Sequence, residues 1–420
     1  MTIGKKIYTE NPPQTKTDKT QMPPYFCRLG RNYPQYCNKK SYLCKMKCIL
    51  VSVSNDLYND NRVLKTCKSL FDYGLDVTVV CKNATASRKT QYASFNSEYP
   101  FIKIKRLKFL FKKNVWYYAE LKLRLFFKLL FSRFDILWAN DLDTLLPNYI
   151  VSRLKHKPLV FDSHEMFCYV AELKPGSIQQ KAWLKIEGWI VPKLKYIVTV
   201  CNPIKDYFKQ KYGANALIVR NIPPYSEDNQ ERKQFPLKER YIIWQGSTNI
   251  DRGLEELVLS MRGVDAKLLI AGTGDIFDNL RTLIQTNNLQ EKVILLGKIA
   301  YQDMISYTRC ATLGISIDKP TNQNYAISLP NKIFEYINAA TPVLYSPLSE
   351  IKRIEEKFNC GVELKSYEVD TLSSQINEII SDNNLLQTLS DNCLSAQKEL
   401  NWQKEEEQLQ NLLDNCSKGR

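Results

Sequence analysis

Residues 47–82, KCILVSVSNDLYNDNRVLKTCKSLFDYGLDVTVVCK, read as one strand–helix–strand unit. The opening run KCILVSVS (47–54) is short, apolar and ends in polar residues. A helical stretch follows from Arg62 to Tyr73, Gly74 interrupts it, and DVTVVCK makes a second strand. Further on, DILWAND, PLVFDSHE and YIVTVC repeat the pattern, each a short apolar run with a polar end. Apolar runs of this length separated by helices predict a parallel sheet covered on both faces, because only buried strands carry unbroken apolar sequence.

The alternation breaks at 220–240, RNIPPYSEDNQERKQFPLKER, which is rich in proline and charge. It then restarts with YIIWQGST, a helix from Arg252, AKLLIAGTGD, a helix from Ile276, KVILLGKI, a helix near Tyr301 to Cys310, TLGISID, a helix opening at Asn331, PVLYSP and CGVELK. The expected fold is therefore α/β, with two doubly wound, Rossmann-like domains and a cleft between their strand ends. Their expected bounds are 46–222 and 239–395, joined by a linker at 223–238 and followed by a C-terminal helix at 396–420. Residues 1–45 are proline-rich, polar and aperiodic, and read as a disordered extension. Met46 directly precedes the first strand and is the expected biological start; mass spectrometry of the native N-terminus tests that.

At 420 residues, 44% hydrophobic and 25% charged, the chain can bury two ordinary cores. No apolar run approaches the roughly 20 uncharged residues that cross a bilayer, and the first 45 residues lack the apolar centre of a signal peptide, so a cytoplasmic protein is expected. The twelve cysteines are scattered, contain no C-x-x-C pair, and in cases such as Cys48 and Cys81 sit in apolar runs. Buried reduced thiols fit better than disulfides; Cys37, Cys44 and Cys48 have neither a nearby histidine nor the paired spacing of a metal site.

The net charge of +15 is concentrated. Residues 101–134, FIKIKRLKFLFKKNVWYYAELKLRLFFKLLFSRF, hold ten Lys or Arg against the single acid Glu120, interleaved with aromatic and aliphatic residues. Such a stretch suits an anionic membrane surface, with Lys108, Phe109, Lys112, Lys113 and Trp116 as the expected contacts. A core strand and helix with basic outer faces is the plainer reading. Nucleic acid is the weakest partner, since no nucleic-acid module accompanies the charge.

Several strand ends carry candidate chemistry. After YIIWQGS, Arg252 opens a helix beside Gly246, where free N–H groups and the helix dipole already favour an anion. Lys332, at the opening of SLPNKIFEYINAATPV (328–343), supplies a second cation, and together they form a diphosphate clamp. Glu335, three residues on and on the same helix face, offers two oxygens to a ribose diol; its plainer roles are a surface carboxylate or a partner for Lys332. His164 in DSHE ends a strand, and is either structural or directed at a reacting group. In ANDLD, Asp141 lines an acceptor side or caps the next helix, and Asp143 follows it. Asp60 and Arg62 fix the first loop near phosphates or pair with each other. GTG at 272–274 is a shortened nucleotide turn, weak by itself.

Four of these motifs, SNDLYNDNRVLKTCKSLFDYGLDVTVV (54–80), ANDLDTLLPNYIVSRLKHKPLVFDSHEMF (139–167), WQGSTNIDRGLEELV (244–258) and SLPNKIFEYINAATPV, together resemble glycosyltransferase family 4, the retaining sugar-nucleotide transferases of GT-B architecture, in the form that builds bacterial surface polysaccharide. The resemblance covers about residues 47–395. It implies a nucleoside diphosphate sugar as co-substrate with no metal or other cofactor, held in the second domain by Gly246, Arg252, Gly272, Lys298, Leu329, Lys332 and Glu335. It also implies an acceptor, a glycan or lipid-linked glycan, received by the first domain, with His164 at the sugar and Asp60, Arg62 and Asp141 on the acceptor side. His164, Arg252 and Lys332 would carry the catalysis, and the protein would sit peripherally on the inner membrane face. Two positions depart from the family: Ile327 stands where relatives place a glutamate on the donor sugar, and Val258 where they place a lysine. A catalytically silent scaffold in a glycan-assembly complex and a sugar-nucleotide epimerase are the competing functions.

Overall fold

The computed structural model describes residues 47–58, 60–83, 95, 97–111, 114–170, 173–225 and 239–418. The expected extension at 1–45, most of the expected linker, and Lys112 and Lys113 lie outside the described residues. Residues 46–420 form a single unit.

The first sheet contains β1 (Cys48–Ser52), β2 (Asp76–Lys82), β3 (Ile102–Leu107), β4 (Ile136–Asn140), β5 (Leu159–Ser163), β6 (Tyr196–Thr199) and β7 (Leu217–Ile218), in spatial order 3-2-1-4-5-6-7. Every pairing in it is parallel. Its helices are α1 (Asn61–Asp72), α2 (Asn114–Leu130), α3 (Asp141–Lys155), α4 (Ile178–Ile190) and α5 (Asn202–Tyr212). The second sheet contains β8 (Tyr241–Gln245), β9 (Lys267–Ala271), β10 (Val293–Gly297), β11 (Leu313–Ser316), β12 (Val343–Tyr345) and β13 (Gly361–Glu363), in order 10-9-8-11-12-13 and again all parallel. Around it lie α6 (Leu254–Ser260), α7 (Phe277–Thr286), α8 (Tyr301–Cys310), α9 (Gln323–Ala326), α10 (Asn331–Asn338) and α11 (Ser349–Phe358). Then come α12 (Val369–Ser381), α13 (Asn383–Ala396) and α14 (Trp402–Lys418).

The expected pair of doubly wound sheets is what forms. In each, the first strand in sequence is central, so the winding reverses between β1 and β4 and between β8 and β11. Loops part at such switch points, which is where open α/β sheets bind ligands. The central strands are covered on both sides: Ile49 and Val51 pack in one core layer of the first domain and Leu50 in the other, all at 0–1% exposure. Gly74, at φ +80, turns the chain after α1, its N–H donating to the Phe71 carbonyl over 2.8 Å.

One element starts later than expected, and another shows where it docks. The helix expected from Arg252 begins at Leu254, with Gly253 as its cap at φ +69. A Cβ on Gly253 would lie 2.5 Å from the Ile317 carbonyl oxygen, so β11's exit and this turn are fitted closely together. The C-terminal helix packs on the first domain: Trp402, Leu409, Leu412, Leu413 and Cys416 of α14 join the core layer of Ile49 and Val51. Trp402 Nε1 donates to Ser69 Oγ over 3.0 Å, Tyr196 Oη to the Asn415 carbonyl over 3.0 Å, and Arg220 clasps Glu405 at 2.6 Å. Burying three leucines and a tryptophan there contributes roughly 2–3 kcal/mol per side chain.

Candidate active site

The strand ends of the second sheet lie very close together. Gly246, Gly272 and Gly297 follow or close β8, β9 and β10, with φ of +132, +144 and +65. The Gly272 N–H donates to the Gly297 carbonyl over 2.8 Å and the Gly246 N–H to that of Ala271 over 3.0 Å. A Cβ on Gly272 would stand 1.7 Å from the Gly246 oxygen, so no other residue fits. Lys298, next after Gly297, is exposed and lies 5.8 Å from the ring centre of Tyr58 on the first domain.

Arg252 and Lys332 come together through a residue the sequence did not single out. Asp318, two residues past β11 and fully buried, receives Arg252 Nη1 on one oxygen at 3.0 Å and Lys332 Nζ on the other at 3.2 Å. Lys332 Nζ also sits 4.4 Å from the ring centre of Trp244, and the Arg252 guanidinium 4.6 Å from that of Tyr325. Burial pushes the Lys332 ammonium down, Asp318 pulls it back up, and Arg252 opposes that. One carboxylate thus holds two cations at the β8–β11 switch point, and Glu335 adds a weaker pull on Lys332. Arg252 Nε and Thr248 Oγ1 are buried with no partner among the described residues, which leaves hydrogen-bonding capacity for a ligand.

Glu335 is half-buried one turn along α10 and accepts from Gln245 Nε2. Gln245 is held in turn by Thr308 Oγ1, 2.6 Å from its Oε1. Burial raises the Glu335 carboxyl, opposed by Gln245 and then by the charges of Lys65 and Lys332. Lys65 belongs to α1 of the first domain. Burial, with help from Arg62, pushes it down to about 7, against Glu335. Lys65 Nζ donates to the Ile222 carbonyl over 2.6 Å. Its effect on Glu335 across the two domains was not visible in sequence.

On the first domain, His164 directly follows β5 and stands between two carboxylates. Its Nδ1 lies 3.2 Å from Asp141 Oδ2 and its Nε2 3.5 Å from Asp162 Oδ2, and its backbone N–H donates to Asp141 Oδ1 over 2.9 Å. Burial alone would lower the imidazole, but Asp141 and then Asp162 raise it to about 10. Asp162 would itself rise on burial, yet Arg62 and His164 hold it well below the usual carboxylate range. Asp143 is pushed up to about 7 by burial and by Asp141.

The remaining expected residues fall in other places. Asp60 caps α1, accepting from the Val63 N–H over 3.1 Å, and steadies the preceding loop through Asn55 Nδ2 at 2.7 Å. Arg62 pairs with Asp162 at 2.6 Å and donates to the Val219 carbonyl over 2.7 Å, inside the core. Asp60 and Arg62 thus hold different partners. Asp141, at φ +56, orients His164, while Asn140 takes the cap position of α3. Ile327 and Leu329 pack on the core of the first domain, so the place of the family's second glutamate is an apolar contact between domains. Beside it, Asn324 Oδ1 accepts from the Met166 N–H over 3.0 Å and Asn324 Nδ2 donates to Glu165 over 3.3 Å. Asp318 and Asp162 had one legible signal in common: each ends an apolar strand run, in GISID and VFDS.

Two Rossmann-like parallel sheets in tandem, each with a switch point beside its first strand, are the GT-B architecture. Residues 61–224 match the family described as Glycosyltransferase Family 4, and residues 226–394 match Glycosyl transferases group 1. Among curated proteins, the alpha-D-kanosaminyltransferase of Streptomyces kanamyceticus is 20% identical over 265 residues, 58% of this chain and 67% of that protein. Among solved structures, Anabaena HepE in complex with UDP is similar at a TM-score of 0.67 and 14% identity, covering 88% of this chain and 100% of its own. WaaG, a glycosyltransferase involved in lipopolysaccharide biosynthesis, is similar at a TM-score of 0.60 and 12% identity, covering 86% and 98%. The chain belongs to the GT-B glycosyltransferases of family 4 type, and is a glycosyl-transferring enzyme.

Proposed function

We propose that this glycosyltransferase moves a sugar, with retention of configuration, from a nucleoside diphosphate sugar to a lipid-linked glycan at the inner membrane face. The observation that carries the donor half is the bracket of Arg252 and Lys332 around buried Asp318, with Glu335 one turn away. A diphosphate brings more negative charge than Asp318 and so competes for both cations, which then offset the charge that builds on the leaving group. Glu335, braced by Gln245, receives the ribose hydroxyls. The Anabaena relative was solved with UDP and with UDP-glucose, which makes uridine diphosphate sugars the first donors to try. Retention is supported by His164: held as imidazolium between two carboxylates, it has no free base to take the acceptor's proton. The leaving phosphate then takes that proton, and His164 contributes fixed positive charge and orientation.

The membrane half rests on α2 and the loop before it. No helix among the described residues is long and apolar enough to cross a membrane. The outer face of α2 nonetheless exposes aromatic and aliphatic residues among its cations, and Trp116, one of the expected contacts, is 68% exposed. Phe109 instead turns toward Tyr117, their ring centres 5.2 Å apart, and Lys108 is exposed.

The test is thermal stabilisation and slow donor hydrolysis with UDP-, GDP- and ADP-sugars. One donor should respond, and Lys332→Ala or Glu335→Ala should abolish the response; no response to any donor overturns the donor assignment. Co-sedimentation with anionic vesicles should weaken with salt. Binding that ignores lipid charge overturns the membrane assignment.

A further inference from the structure

The helix α2 is apolar on two faces. Tyr117, Leu121, Leu125 and Leu129 face the core, at 8% exposure or less. Trp116, Leu123, Phe127 and Phe131, at steps of seven, four and four residues, make a second stripe on the outside. Leu123 and Phe131 are 59% and 82% exposed. Exposed apolar residues this concentrated mark an interaction site.

The stripe borders a groove of about 920 Å³ between α2 and the loop that follows β3. Leu110 and Phe111 line its loop side, and Leu123, Phe127 and Phe131, with the exposed Ala119 one turn before Leu123, its helix side. The loop is held in place by Glu120, which accepts from the N–H groups of Leu110 and Phe111, both over 2.9 Å, and from Arg124 Nε over 2.6 Å. The acid is therefore already engaged, and the groove exists before anything binds. Lys105, Arg124 and Lys128 also line it; Arg124 is paired with Glu120, so the excess positive charge is that of Lys105 and Lys128.

We propose that this groove binds the hydrocarbon chain of a single anionic membrane lipid, laid along α2 with its phosphate against Lys105, Arg124 and Lys128. The inference rests on the membrane-face reading above and makes it more specific. Headgroup attraction alone needs only surface charge, whereas a preformed apolar trough of ligand size takes up a chain. The cations select an anionic headgroup over a neutral one.

The probe is dodecyl phosphate below its micelle concentration, titrated calorimetrically into the full chain, with inorganic phosphate and a neutral dodecyl detergent as controls. Saturable one-to-one binding is expected for dodecyl phosphate, with none for inorganic phosphate and weaker binding of the neutral detergent. Ala119→Trp puts an indole into the groove; each methylene it excludes is worth about fourfold in affinity, so excluding three costs about sixtyfold. Vesicle co-sedimentation should survive that substitution, since no cation is removed. Unchanged amphiphile binding in Ala119→Trp overturns the proposal. Vesicle binding without amphiphile binding overturns the groove and leaves the membrane reading standing, and loss of both overturns both. A dimer that Leu123→Glu dissociates assigns the face to a second copy and also overturns it.

Discussion

Replacing Asp318 by asparagine keeps the shape of the switch point and removes only the charge between its two cations. At 3.0 and 3.2 Å, with an effective dielectric of about 20, each pairing is worth roughly 5 kcal/mol of gross attraction. Desolvation of three ions cancels much of this, and breaking a buried pair by removing one partner costs about 3–5 kcal/mol. The Arg252 side chain is 22% exposed, so water recovers part of its loss and the lower figure applies. For a chain of this size, at about 2.1 cal/mol/K of unfolding entropy per residue, that lowers Tm by about 3–4 °C. The same substitution removes the competitor for phosphate: pyrophosphate, which tests the clamp without depending on a base or sugar, should bind at least about tenfold more tightly, or 1.4 kcal/mol. Scanning fluorimetry with and without pyrophosphate reads both effects, so the variant should be less stable alone and gain more from the ligand. A variant with unchanged Tm, or with pyrophosphate affinity equal to or below that of the parent, would refute the idea that Asp318 holds the clamp until the diphosphate arrives.

Three further outcomes follow from the geometry. Because His164 is raised from 6.5 to about 10, its pairing stabilises the fold fully below pH 6.5 and is lost as pH rises toward 10, at up to about 1.4 kcal/mol per pH unit in that window; Tm measured from pH 6.5 to 10 should fall less steeply in His164→Gln, and equal slopes would remove the charged-histidine reading. Trp402→Ala empties a buried site and strands Ser69, which should cost about 3–5 kcal/mol in urea unfolding while leaving pyrophosphate affinity of the folded protein unchanged; a cost below about 1 kcal/mol would mean α14 docks without this anchor. Gly272→Ala forces a methyl into the Gly246 carbonyl, and nucleotide binding should be lost in whatever fraction still folds, as read by fluorescence or calorimetric titration; full binding would show that the strand ends move apart at no cost.

Much of this was legible from local pattern. Short apolar runs such as KCILVSVS and AKLLIAGTGD announced both sheets, since a strand buried on two faces must be apolar throughout. Lys332 and Glu335 do share one helix, three residues apart, which is a local rule, but each holds a different partner, Asp318 and Gln245. Arg252 was placed on a helix that starts two residues later, because Gly253 at φ +69 delays it, a conformation the residue type permits but does not announce. Arg62 was read with its neighbour Asp60, yet its partner is Asp162, one hundred residues away.

The sequence alone therefore determined the alternation of strands and helices, the two-domain division and the residue types able to meet a diphosphate, because these depend on periodicity and on chemistry carried by single side chains. Only the tertiary structure decided which charges meet. Asp318 lies 66 residues from Arg252 and 14 from Lys332, His164 sits between acids from two strand ends, and α14 returns to a core that begins at residue 49. Those pairings come from the order of strands in the sheets, and strand order is set by packing across the whole chain rather than by any one segment.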